Sequence, residues 1–198
     1  GISTAADLFV EKDDVLVMPD MFWDNYELIF ADRNQAKVVT YPFFNKEGGY
    51  NIEGLKEAIL RNGDKKKVIV LVNFPNNPAG YSPTVKEAQN LAETIRQCAD
   101  RGIDILTISD DAYYGLFYEE GIETQSSFTY FSNLHDRVLA VKVDGSTKED
   151  FVWGFRVAFF TFGGKGLTQK QYEALNVKVS GILRTSISSS SRLAQSIM

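Results

Sequence analysis

Short apolar runs alternate along the chain with longer amphipathic stretches, and this alternation predicts an α/β fold. Residues 68–72 are apolar at every position, which is typical of a parallel strand that is buried on both faces. Further strands are predicted at residues 15–18, 38–41, 103–109, 138–143 and 153–162. We therefore expect a three-layer α/β/α sandwich around a mainly parallel mixed sheet.

Helices are predicted between these strands from apolar spacing and from residues that cap helix ends. Residues 52–60 carry apolar side chains at helical spacing. Thr84 and Glu87 form the pattern of a capping box at the start of the next helix, and Gly102 is suited to end it. The remaining helices are predicted at residues 2–10, 23–31 and 168–184.

The composition argues against several kinds of binding partner, namely nucleic acid, metal ions and membranes. The 198 residues are 44% hydrophobic and 24% charged, as in an ordinary globular domain, and the formal net charge of −5 argues against binding to nucleic acid. The only cysteine, Cys98, excludes an intrachain disulfide, and a sequence with one cysteine and one histidine argues against a zinc or other metal site. No apolar run is long enough to span a bilayer, so we expect a cytoplasmic protein without a membrane partner.

Polar motifs stand where predicted strands end. Residues 73–80 read Asn-Phe-Pro-Asn-Asn-Pro-Ala-Gly, residues 110–113 read Asp-Asp-Ala-Tyr, and residues 146–148 read Ser-Thr-Lys. A Gly-Phe-Arg motif follows at residues 154–156. Ligands of open α/β sheets bind outside the carboxyl ends of the strands, so we expect these motifs to share one site.

Together these motifs resemble the fold type I pyridoxal-phosphate-dependent aminotransferases, class I/II, of the aspartate and aromatic branch. The resemblance implies that Lys148 carries the cofactor as a Schiff base and later moves the substrate proton. It implies that Arg156 clamps the phosphate, that Asp110 pairs with the pyridine nitrogen, and that Tyr113 and Asn77 reach the phenolic oxygen. Taken one at a time, each residue has a structural alternative. Lys148 is then a solvated surface lysine and Arg156 an edge-strand arginine, whereas Asp110 and Asn77 serve in turns or caps and Tyr113 in packing.

Three further residues belong to the same resemblance. Trp23 matches the aromatic residue that stacks on the pyridine ring, although a core tryptophan at a helix start is the alternative. The serine that the family has three residues before its lysine is Gly145 here, and Ser146 is a possible substitute. Arg184 matches an arginine that reaches the neighbouring subunit's site and binds a dicarboxylic substrate, which implies a homodimer. The alternative for Arg184 is a basic residue near a helix end, followed by a serine-rich linker.

The resemblance covers nearly all of this chain but only the central part of the family's chain. It implies a cofactor-binding large domain over residues 2–167 and, over residues 168–198, a helix leading toward a C-terminal small domain. The phosphate-binding glycine turn would lie just before Gly1. We expect the isolated chain to have negligible turnover, because the small domain carries the arginine for the substrate α-carboxylate.

The expected function is transfer of an amino group between an L-amino acid and a 2-oxo acid through pyridoxal phosphate. The expected amino acid is aspartate, glutamate or an aromatic one. Two alternatives keep the cofactor. One is a β-lyase or an enzyme like aminocyclopropane-carboxylate synthase, because the motifs set the electron sink and leave the fate of the carbanion open. The other is a non-catalytic, pyridoxal-phosphate-sensing domain of a transcription regulator.

Overall fold

One six-stranded sheet lies at the centre of the computed structural model, which describes residues 1–197. Its strands are β1 (Val15–Pro19), β2 (Lys37–Tyr41), β3 (Val68–Asn73), β4 (Ile105–Asp110), β5 (Val138–Asp144) and β6 (Phe159–Gly164). The order across the sheet is β2-β1-β3-β4-β5-β6. All neighbours are parallel except β6, which runs antiparallel to β5 at the edge. The predicted mainly parallel mixed sheet is confirmed.

Helices cover both faces of this sheet. They are α1 (Ile2–Phe9), a π-helix (Glu27–Arg33), α2 (Ile52–Arg61), α3 (Val85–Asp100), α4 (Ser127–Phe131), α5 (Ser146–Glu149), α6 (Gln169–Ser186) and α7 (Arg192–Ile197). Val70 of β3 packs in one core with residues of α2 and α3, whereas its neighbour Ile69 packs in a second core with α1 and the π-helix. Because successive side chains of a strand point to opposite faces, the all-apolar β3 joins the two cores. The three-layer sandwich is thus confirmed.

The capping signals in the sequence are realised in the structure. The Thr84 side chain accepts from the backbone N–H of Glu87, and the Glu87 carboxylate accepts from the backbone N–H of Thr84, which completes the predicted capping box of α3. Thr168 and Gln171 form a second capping box, which starts α6. Each box satisfies backbone N–H groups that would otherwise lack partners at a helix start.

Two element predictions were wrong in their bounds. The predicted strand at 153–162 begins only at Phe159, because residues before it turn and Arg156 adopts a left-handed conformation with φ of 57°. The predicted helix at 23–31 becomes a π-helix that extends to Arg33, and Trp23 lies in the coil before it. Both shifts move a predicted site residue out of a regular element and into a connecting segment.

The C-terminal part of the chain packs loosely. Helix α6 contacts α1 but buries none of its residues, and a second helix, α7, follows it. The last residue of the predicted segment 168–198, Met198, lies outside the described residues. Over residues 1–197 the structure contains no helix with the length and apolar character needed to cross a membrane.

Candidate functional site

A cavity of about 270 Å³ opens at the carboxyl edge of the sheet. The register explains its position, because Asn73 of β3 pairs with Asp110 of β4, which in turn pairs with Val143 of β5. These strands end at one level, so the polar residues that follow them meet at the same edge. Six of the predicted site residues line the cavity, namely Trp23, Asn77, Asp110, Tyr113, Lys148 and Arg156.

Asp110 forms the floor of the cavity and is 4% exposed. Its Oδ2 accepts a hydrogen bond from the Tyr26 hydroxyl at 2.6 Å, and its Oδ1 accepts one from the backbone N–H of Ala112 at 3.0 Å. Burial raises the pKa of Asp110 above its usual value, while these two hydrogen bonds act in the opposite direction. A buried carboxylate of this kind favours a cation placed against it.

Tyr26 was missed by the sequence reasoning. It follows Trp23 by three positions, and the two rings meet edge to face with centroids 5.6 Å apart. Burial and the neighbouring Asp110 raise the pKa of Tyr26 well above its usual range, so its hydroxyl stays protonated and donates. The spacing of Trp23 and Tyr26 near the start of a predicted helix was the available signal, but Asp110 is 84 positions away.

The turn after β3 is fixed to β4 by one side chain. Asn73 donates from Nδ2 to the backbone carbonyl of Asp110 at 2.8 Å and accepts at Oδ1 from the backbone N–H of Asn77, also at 2.8 Å. Asn73 is 5% exposed, so both bonds are shielded from water. They hold Asn77 in the cavity wall beside the carboxyl end of β4.

Lys148 lies on the short helix α5, with its Nζ 5.4 Å from the centre of the Tyr113 ring. The chain reaches this helix through Gly145, where an added Cβ would lie 2.6 Å from the backbone carbonyl oxygen of Val157. A side chain at this position would therefore require the backbone at Val157 to move. Ser146 does not line the cavity and its Oγ is buried without a hydrogen-bond partner among the described residues, whereas Thr147 does line it.

Two groups in the lining of the cavity are suited to binding an anion. Arg156 lines it, and its Nη1 donates to the backbone carbonyl of Trp153 at 3.4 Å. The first residues of α1, Gly1 to Ser3, line the same cavity, and within residues 1–197 no side chain caps this helix. Its N–H groups and an arginine fork together make a favourable site for a phosphate. The sequence predicted α1 as a helix but did not place it at the site.

Arg184 lies elsewhere. It is exposed on the last turn of α6 and is not among the residues that line the cavity. Its proposed contact with a substrate would therefore need a second copy of the chain, and it stays a prediction. The cofactor contact of Ser146, which is likewise not among the residues that line the cavity, also stays a prediction.

The residues present fit pyridoxal phosphate. A buried carboxylate, an arginine, a helix start, an aromatic side chain and a lysine all line this one cavity. This set suits a flat cationic ring that carries an anionic group and an aldehyde. Within the described 197 residues no cluster of three or more histidine, cysteine or acidic side chains could hold a metal ion.

Comparison with known proteins gives one consistent result. The family described as aminotransferase class I and II matches residues 1–195. The aspartate aminotransferase of Bacillus subtilis is 28% identical over 167 residues, which is 80% of this chain and 37% of that protein. A probable aspartate/prephenate aminotransferase of Rickettsia prowazekii is 24% identical over 150 residues, or 76% of this chain and 35% of that protein.

Solved structures agree with the fold. An aminotransferase from Anaerococcus prevotii superposes with a TM-score of 0.86 at 26% identity, covering 99% of this chain and 48% of that one. A Thermus thermophilus aspartate aminotransferase variant has a TM-score of 0.70 at 21% identity, covering 98% of this chain and 46% of that one. The chain thus spans just over a third of the curated relatives and about half of the solved chains.

Proposed function

The chain belongs to the class I and II aminotransferases, and we propose that the whole protein is a pyridoxal-phosphate-dependent transaminase. It would transfer an amino group between an amino acid and a 2-oxo acid. The observation that carries the proposal is the buried carboxylate of Asp110 in one cavity with Lys148 and Arg156. The bound cofactor supplies an electron sink for the carbon that loses its proton.

Each cavity residue has a defined task in this proposal. Asp110 would keep the ring nitrogen protonated, and the hydrogen bond from the Tyr26 hydroxyl favours the ionised form of the Asp110 carboxyl against the burial that raises its pKa. Lys148 Nζ binds the cofactor covalently and, once released, moves the substrate proton. Arg156 and the start of α1 hold the phosphate.

Two aromatic side chains orient the ring. Trp23, which is 38% exposed at the cavity mouth, offers a flat surface for it. Tyr113 and Asn77 would bind the phenolic oxygen, because both line the same cavity as Asp110 and Lys148.

An acidic amino acid is the proposed donor, with an aromatic one as the alternative. The support is that curated relatives carry the names aspartate aminotransferase and aspartate/prephenate aminotransferase. Arg184 would bind the distal carboxylate in the site of a second copy, since it does not reach the cavity of its own chain. The proposal therefore includes a cytoplasmic homodimer, and it assigns residues 2–167 to the large domain.

The test is chemical labelling of the full-length protein. Pyridoxal phosphate is added, any imine is reduced with borohydride, and the labelled peptide is identified by mass spectrometry. We expect label on Lys148 and none in Lys148→Ala, while Lys165→Ala, a change at an exposed lysine outside the cavity, keeps the label. Label spread over surface lysines in the full-length protein would refute the proposed site.

The reaction type is tested by product analysis. Full-length protein is given aspartate with and without 2-oxoglutarate, and the products are quantified. A transaminase turns over repeatedly only when the 2-oxo acid is present. Steady release of ammonia without it would instead identify an eliminating enzyme.

A further inference from the structure

The proposed reaction leaves one cavity carboxylate without a task. Asp144, at the end of β5, lines the cavity together with Asp110. Its Oδ2 lies 2.6 Å from Nζ of Lys142, and its Oδ1 accepts from the backbone N–H of Gly145 at 2.7 Å. Lys142 does not line the cavity, so its ammonium contacts Asp144 from outside the cavity.

The position of Asp144 relative to Arg156 follows from the pairing of β5 with β6. In the register of β5 and β6 it pairs with Phe159, three positions after Arg156. A Cβ added to the next residue, Gly145, would meet the backbone of Val157, and one added to Gly1, at the start of α1, would meet the side chain of Val143, the residue before Asp144. The two groups that would hold the phosphate therefore flank the strand end that carries this carboxylate.

A lone carboxylate at this place would oppose a phosphate. Two like charges several ångströms apart in a partly buried site repel each other strongly enough to weaken phosphate affinity by roughly tenfold or more. Lys142 and Asp144 are only 22% and 23% exposed, so water screens their charges weakly. The pairing with Lys142 removes the net charge of Asp144.

The other neighbours of Lys142 leave its charge available to Asp144. Its Nζ is 3.8 Å from Asp111 Oδ2 and 5.4 Å from the centre of the Tyr114 ring. Burial raises the pKa of Asp111 to about 7, so this carboxyl is only partly ionised at neutral pH. Burial lowers the pKa of Lys142, but the contacts with Asp144 and Asp111 outweigh it and raise that pKa, which keeps the ammonium protonated.

We infer that Lys142 is a positioning residue whose ammonium neutralises Asp144 and thereby allows this wall of the cavity to accept the phosphate of the cofactor. The inference rests on the proposed function, since it needs a phosphate-bearing ligand in the cavity. Its content is separate, because the proposed reaction gives no task to Lys142 or Asp144.

The test compares two ligands that differ only in the phosphate. Cofactor-free, full-length proteins are titrated with pyridoxal phosphate and with pyridoxal, and the dissociation constants are measured. We expect Lys142→Met to weaken pyridoxal phosphate binding roughly tenfold and pyridoxal binding less than twofold. The double variant Lys142→Met/Asp144→Asn and the conservative variant Lys142→Arg should both bind pyridoxal phosphate as the wild type does.

Lys66→Met is the matched control, because Lys66 forms a similar ion pair with Glu11 at 2.8 Å, outside the cavity lining. It should leave both dissociation constants unchanged. Equal losses for the two ligands in Lys142→Met, or no recovery in the double variant, would show a merely structural role and overturn the inference. A wild-type protein that binds pyridoxal phosphate no better than pyridoxal would instead overturn the proposed phosphate site and this inference with it.

Discussion

Replacing Tyr26 by phenylalanine tests how the cavity floor is held. The hydroxyl of Tyr26 donates to Asp110 Oδ2 at 2.6 Å, and Asp110 is 4% exposed, so water cannot readily replace the lost donor. A hydrogen bond to a charged group contributes about 1.5–3 kcal/mol. We therefore expect Tyr26→Phe to lower the free energy of unfolding of the cofactor-free protein by about 2 kcal/mol.

The same change should affect the cofactor. The hydrogen bond from Tyr26 lowers the pKa of Asp110, so its loss raises that pKa, and a more basic carboxylate would be less able to keep the ring nitrogen of the cofactor protonated. A loss of about 2 kcal/mol corresponds to roughly a 30-fold change in an equilibrium constant, and we expect kcat of the full-length protein to fall by about that factor at most.

Two measurements check the reasoning. Urea unfolding of the cofactor-free protein gives the stability change, and steady-state kinetics of the loaded protein gives kcat. Tyr118→Phe is the matched control, because Tyr118 is 84% exposed and should be neutral in both assays. A Tyr26→Phe variant that unfolds and turns over like the wild type would refute the proposed support of Asp110.

Three more predictions follow from the same geometry. Burial raises the pKa of Asp111 to about 7, against 3.8 when unfolded, so its contribution to stability is present below pH 4 and is lost as pH rises through 7. Asp111→Asn should therefore remove about 2–3 kcal/mol of the loss in unfolding free energy between pH 5 and pH 8, as measured by urea unfolding at each pH. Gly145→Ala would place a Cβ 2.6 Å from the carbonyl oxygen of Val157, and we expect a loss of about 1–3 kcal/mol and slower borohydride trapping on Lys148, both absent if the segment simply relaxes. Full-length Lys148→Ala and Arg184→Ala proteins are mixed in equal amounts and allowed to exchange subunits. Half of the dimers are then mixed, and each has one site with both residues intact, so about a quarter of wild-type activity should return. No recovery would contradict a site shared between subunits.

Much of the fold could be predicted because hydrophobic periodicity is a local signal. The apolar run of β3 and the capping box at Thr84 need only neighbouring residues to be recognised, and both predictions were confirmed. The strand at 153–162 was misplaced because its apolar residues also fit a strand, whereas the left-handed backbone of Arg156 has no side-chain signature. Local patterns therefore located the elements better than their ends.

The site was predictable only where a motif carries its own chemistry. Lys148, Asp110 and Arg156 were found because each stands in a recognisable short motif, and the structure brings them to one cavity. Tyr26 contacts Asp110, which is distant in the sequence, and Lys142 contacts Asp144 from outside the cavity. No short sequence pattern indicates such contacts. These supporting residues become visible only once the strands are placed in register.

The common level at which β3, β4 and β5 end has a thermodynamic consequence. Residues far apart in sequence form one row there, and the cavity exists only when the whole sheet is in register. A ligand that binds this row binds the native state and not the unfolded chain, so it stabilises the entire sheet by RT ln(1 + [L]/Kd). Saturation at 100 times Kd would add about 2.7 kcal/mol, which makes cofactor occupancy a global determinant of how long this protein stays folded.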